Sequence, residues 1–136
     1  MDIEDCFFTI PSLYEKIKKT INLKSILSQS LIVQNENYDT RIFLNLLCQK
    51  NNIQLKPTLE VDRHGLIIEF VKEGLAIGFA TKQYIKQYLD SNELVEINVD
   101  FNIDKRFIKC VHKNNNIKIK NFIELLNKNI KISKDK

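Results

Sequence analysis

A rhythm runs through this sequence. Short apolar runs at residues 3–10, 31–34, 54–61, 75–80, 94–99 and 106–112 alternate with stretches whose apolar residues recur at helical spacing. Runs this short, bounded by Pro, Gly or polar clusters, predict strands. Pro11 closes the first run, and a polar stretch follows to about residue 22. Asn22 is placed to cap a short helix over 23–28. Asp39 and Thr40 are both suited to cap the next helix, with Ile42, Phe43, Leu46 and Leu47 on its inner face. Pro57 puts the start of its run at a sheet edge or outside the ladder. Asp62 is the expected cap of a helix that turns Leu66, Ile67, Phe70 and Val71 inward and closes at Gly74. Thr81 is the expected cap of another, with Ile85, Tyr88 and Leu89 inward. After a loop at 114–116, Ile119, Ile123, Leu126 and Ile130 line a last helix that fades into a Lys-rich tail. Strands alternating with helices predict an α/β fold, a largely parallel sheet covered by helices on both faces.

Size and composition narrow the classes. At 136 residues the chain is one domain or one lobe of something larger. No apolar stretch approaches the roughly 20 residues of a membrane span. The acidic start Met1-Asp2-Ile3-Glu4-Asp5 does not read as a secretory leader, so a cytoplasmic location without membrane contact is expected. Three cysteines, Cys6, Cys48 and Cys110, and two histidines, His64 and His112, lack the paired spacing of a zinc site. No metal or cofactor is expected, and the cysteines read as free thiols. With 20 Ile, 18 Lys and 15 Asn, the composition follows AT-rich codons of a bacterial genome, which discounts the net charge of +4. The basic excess lies in residues 101–136, without the aromatic interleaving of a single-strand binder, and reads as a solvated helix face and tail.

Sheets of this kind bind ligands beyond the carboxyl ends of their strands. That rule selects the loop at 35–40, the turn at 62–64 and residues 78–81. The loop ends at a helix start, where backbone N–H groups and the helix dipole favour an anion. Asn35, Asn37 and Thr40 add side-chain donors there, with ordinary capping as the alternative for Asp39 and Thr40. Asp62 and His64 are read as a cap and a solvated first-turn residue, or as ligand contacts. Gly78 inside an apolar run implies close backbone approach, by a ligand or by a neighbouring helix. Phe79 lines a pocket or fills the core. No phosphate loop, nucleophile setting or acid–base pair is present, so an enzyme is not expected.

At this point a resemblance appears. Glu60-Val61-Asp62, followed by Ile67-Ile68-Glu69-Phe70-Val71-Lys72-Glu73-Gly74-Leu75-Ala76-Ile77-Gly78, resembles the effector-binding domain of LysR-type transcriptional regulators. Upstream, SLIVQNENYDTRIFLNLL with Thr40-Arg41 is similar to the family's strand, polar loop and helix start. Downstream, Glu93-Leu94-Val95, Arg106 to Lys113 and Asn121-Phe122-Ile123-Glu124 fall in the family's order. The likeness runs from about residue 3 to 127. It implies a fold like the type 2 periplasmic binding proteins: two α/β lobes joined by crossing strands, with the effector between them. The chain is then a single partial effector-binding domain, with the second lobe at 3–105, a returning strand and helix at 106–131, and a tail at 132–136. The first lobe is largely missing, and so is the helix-turn-helix through which the family meets DNA.

Carried over by position, the effector-facing residues are Asn35, Asn37, Thr40, Gly78 and Phe79. The family's peroxide sensors place a reactive Cys near the helix start. Asp39 and Thr40 stand there instead, so a thiol sensor is not expected. The resemblance implies a small-molecule effector, anionic or zwitterionic, and a homodimer or higher homo-oligomer. The alternative is a stand-alone solute-binding or protein-interaction module of the same fold. The last helix, deprived of its partners, is expected to pack on its own lobe or to pair two chains.

Overall fold

The computed structural model describes residues 1–17, 22–109, 111, 113 and 116–134, the last five by their backbone. Cys110, His112, Asn114, Asn115 and the inward position expected of Ile130 lie outside the described residues, as do residues 18–21 and 135–136. In chain order the elements are β1 (Asp2–Ile3), β2 (Asp5–Thr9), α1 (Pro11–Ile17), α2 (Leu23–Leu27), β3 (Leu31–Gln34), α3 (Asp39–Lys50) and β4 (Leu59–Val61). There follow α4 (His64–Lys72), β5 (Ile77–Thr81), α5 (Lys82–Asp90), β6 (Val95–Glu96), β7 (Arg106–Phe107) and α6 (Ile117–Lys134). They form two compact units, residues 3–105 and residues 1–2 with 106–136.

The larger unit is built on a five-stranded sheet in the order β4-β3-β5-β2-β6. β3 pairs in parallel with β4 and β5, Ile32 lying opposite both Leu59 and Gly78. β2 runs antiparallel to β5 and β6. Strands β3, β4, β5 and β6 therefore share one direction, and β2 alone is reversed. Side chains alternate between two core layers, as the period of a strand requires. Cys6, Phe8, Ile32 and Ala80 meet Ile67, Ile68 and Val71 of α4 and Ile85 of α5. Phe7, Leu31, Val33, Ile77 and Phe79 meet Leu23 and Ile26 of α2 and Leu44, Leu47 and Cys48 of α3. Each large apolar side chain fully buried here contributes roughly 1.5–3 kcal/mol. In the smaller unit β1 and β7 pair, with Ile108 N–H donating to the Met1 carbonyl at 2.9 Å, and Asn116 Oδ1 accepts from Ile119 N–H at the start of α6.

Several expectations need correction. Pro11 does not only stop a strand: it is the first residue of α1, where its fixed φ suits the helix and its missing N–H is not needed. The run at 54–61 shortens to 59–61, because the ladder resumes only after Pro57, where Thr58 N–H reaches the Leu31 carbonyl at 2.8 Å. The runs at 94–99 and 106–112 pair as strands only at 95–96 and, among the described residues, at 106–107. The run at 75–80 forms its strand at 77–81. The inner face of α3 is Thr40, Arg41, Leu44, Leu47 and Cys48, while Ile42 and Leu46 are 47% and 57% exposed. Leu66 is likewise exposed. Neither Asp39, Thr40 nor Asp62 is a cap. Tyr38 and Arg63 hold those positions and make no side-chain cap hydrogen bond. Thr81 does occupy the cap of α5, but its hydroxyl donates to Asp5 Oδ1 at 2.8 Å instead. Asn22 caps α2 as expected, accepting from Ser25 N–H at 2.8 Å, and Gly74 closes α4 at φ +76°.

Candidate functional site

Because β3, β4 and β5 are parallel neighbours, their carboxyl ends share one edge, and α3, α4 and α5 begin there. α3 folds back over one face of the sheet, while α4 and α5 cover the other. Connections that part in this way leave a crevice at the end of β3, where such sheets receive ligands. In none of the three does the side chain of the N-cap residue itself, Tyr38, Arg63 or Thr81, make a capping hydrogen bond. In α2, elsewhere in the unit, that of Asn22 does.

The loop between β3 and α3 is tied to β4. Asn35 N–H donates to the Val61 carbonyl at 3.0 Å, extending the ladder by one bond. The Asn35 amide donates to Asp62 Oδ1, and its oxygen accepts from Asn37 N–H at 3.1 Å. Asn35 and Asp62 thus hold the shape of the edge, while Asn37 is exposed and Thr40 buried. Arg41 enters the sequence resemblance only as part of the Thr40-Arg41 helix start and not as a site residue. Its side chain is 4% exposed; Nε donates to Asn45 Oδ1 at 2.9 Å and Nη1 to the Gln34 carbonyl at 3.0 Å. Glu60 Oε1 lies 3.1 Å from Nη1. The signal that could have found it is an arginine on a helix face otherwise apolar at 44, 47 and 48.

Gly78 and Phe79 sit in the interior of the sheet. A Cβ at Gly78 would meet Phe8 Cζ at 2.6 Å and Ile67 Cγ2 at 2.8 Å, so the close approach is that of β2 and α4. Phe79 is buried, its ring 4.8 Å from that of Phe7. His64, at the start of α4, stacks on Tyr84 of α5 at 4.3 Å and so joins two helix starts.

At the far side of the edge Lys82 begins α5. Its ammonium lies 2.8 Å from Glu96 Oε1 and 3.1 Å from Glu4 Oε2, and Lys105 reaches Glu4 Oε1 at 3.0 Å. Hydrogen bonds from Lys105 and then Lys82 hold the Glu4 carboxyl below its ordinary pKa. Burial pulls Lys82 down, but its bonds to Glu96 and Glu4 outweigh that and leave it raised. Cys6 and Cys48 are buried free thiols, and desolvation pushes both above the ordinary thiol value, the opposite of an activated cysteine. Among the described residues no His, Cys, Asp and Glu cluster suits a metal ion, and no helix is long and apolar enough to cross a membrane.

A mostly parallel sheet covered by helices on both faces is the fold of a periplasmic-binding-protein-like lobe. Residues 7–131 match the family model of the LysR substrate binding domain, and the chain belongs to that family. In fold it is similar to the CcmR regulatory domain of Synechocystis PCC6803 in complex with 2-PG, with a TM-score of 0.78 at 16% identity over 93% of this chain and 62% of that one. The OxyR2 E204G regulatory domain of Vibrio vulnificus gives 0.72 at 17% identity, over 92% of this chain and 60% of that one. The effector-binding domain of QuiR in complex with shikimate gives 0.64 at 18% identity, over 78% of this chain and 49% of that one. The chain thus spans about half to three fifths of these domains. No curated protein matches it.

Proposed function

We propose that this chain is the effector-sensing lobe of a LysR-type transcriptional regulator and binds a small anionic or zwitterionic metabolite. The observation that carries the reading is that three helices start at one sheet edge, none capped by the side chain of its own N-cap residue, with the loop at 35–40 held there by Asn35 and Arg41. Such groups favour negative charge. Asn37 and Thr40 are the contacts assigned to the effector, Asn35 shapes the loop, and Gly78 and Phe79 support the edge from the core. In this reading residues 3–105 form the second lobe. The effector is closed in against a first lobe, and DNA is met by a helix-turn-helix, both outside these residues. The active form is a homodimer or higher homo-oligomer in the cytoplasm, without catalysis or cofactor.

The ligands of two neighbours, 2-PG and shikimate, open the panel of small acids to be tested. A titration followed by amide NMR is expected to move resonances at 36–42, 63–66 and 82–84. Shifts confined to other residues would overturn the reading. A second reading, a protein-interaction module of the same fold, draws on the exposed apolar side chains of α6. Capture of an intact regulator by this chain with no effector response would favour it.

A further inference from the structure

We propose that Arg41 is the anion-contacting group behind the loop, and that Glu36 is its built-in competitor, seated against Arg41 until an anionic effector displaces it. This rests on the reading of residues 35–40 as the effector loop. The guanidinium does two jobs. Its Nε and Nη1 face the lobe's own frame, at 2.9 Å from Asn45, 3.0 Å from the Gln34 carbonyl and 3.1 Å from Glu60. The first two are charge-assisted hydrogen bonds and the third an ion pair. Nη2 is engaged differently: Glu36 Oε1 lies 3.8 Å away, beyond hydrogen-bond length.

The two carboxylates are also differently held. Glu60 lies in β4, whereas Glu36 belongs to the loop and its side chain is 76% exposed. Moving Glu36 therefore disturbs little packing, and an ion pair this long with one partner in solvent contributes little. An incoming carboxylate or phosphate takes over its charge toward Nη2 and shortens the contact. A neutral ligand gains nothing there. The pair thus selects for negative charge and sets the threshold concentration of the effector.

The test uses the full chain with sodium sulfate as probe, at constant ionic strength, following the amides of residues 36–42. Glu36→Gln removes the competing charge on an exposed side chain and leaves Arg41 in place. Sulfate is expected to bind this variant more tightly than the wild type, by up to roughly fivefold. Movement of the same amides with unchanged or weaker affinity in Glu36→Gln would overturn the competitor role and leave the effector loop standing. Amides at 36–42 unmoved by sulfate in both proteins would overturn the proposal and the loop reading together.

Discussion

At the scale of single residues, two positions separate packing from binding. Gly78 reads from its sequence setting as a close approach, by a ligand or by a neighbouring helix, and the space beside it is filled by Phe8 and by Ile67 of α4. Both neighbours are buried in a close-packed layer, and the nearest atom belongs to an aromatic ring that cannot fold away. Gly78→Ala is expected to destabilise the fold by about 1–3 kcal/mol, the range for overpacking. Urea denaturation checks it, and an unchanged midpoint would mean that β2 and α4 yield more easily than their packing implies. Thr40 tests the opposite case. Thr40→Ala is expected to weaken effector binding by about 1 kcal/mol, the scale of one hydrogen bond. Unchanged affinity with lower stability would restrict Thr40 to a structural role within α3.

At the scale of elements, legibility follows whatever signal each element carries. β3 and β5 are readable because a strand buried on both faces is a continuous apolar run. α1 is not, because Pro11 serves equally as a strand stop and as a first helical residue, and Leu13, Tyr14 and Ile17 bury only partly. α3 is legible as a helix but with its inner face displaced, since the hydrophobic pattern has no way to place a buried Arg41 on it. The same blindness passes over Arg41, while the rule of carboxyl ends picks out the loop at 35–40 as a candidate from the order of strands and helices alone. α2 is legible down to its cap, and Asn22→Ala is expected to cost about 1 kcal/mol in thermal or urea unfolding. The cluster that anchors the start of α5 adds a dependence on pH. Glu4 has a lowered pKa, so its contribution is present above its ordinary value of 4.5 and disappears as pH falls through the folded value. Lys82 has a raised pKa, so its contribution is present below 10.5 and disappears as pH rises through the folded value. Glu4→Gln is expected to flatten the acid limb of the stability profile below pH 4.5, measured by urea unfolding at a series of pH values. An acid limb identical to the wild type would show that Lys105 and Lys82 give Glu4 no net advantage.

At the scale of the whole molecule, the two units differ in how well they use their apolar residues. Residues 3–105 bury theirs in two layers on a sheet, as expected of a self-sufficient lobe. In the unit of residues 1–2 and 106–136, Phe107, Ile108 and Ile117 are exposed, and on α6 Phe122 and Leu125 are 56% and 57% exposed. Exposed apolar side chains gathered on one short segment mark a surface that seeks a partner. A second copy of the chain offers the same surface, and symmetric pairing of one patch with itself is the commonest route to a dimer. Size-exclusion chromatography with light scattering is therefore expected to show association that grows with concentration. Phe122→Ser together with Leu125→Ser should return the chain to a monomer while leaving the urea midpoint of the larger unit unchanged, because neither residue belongs to its core layers. A wild-type monomer with no dependence on concentration would count against self-pairing and would leave the apolar face of α6 to a different partner.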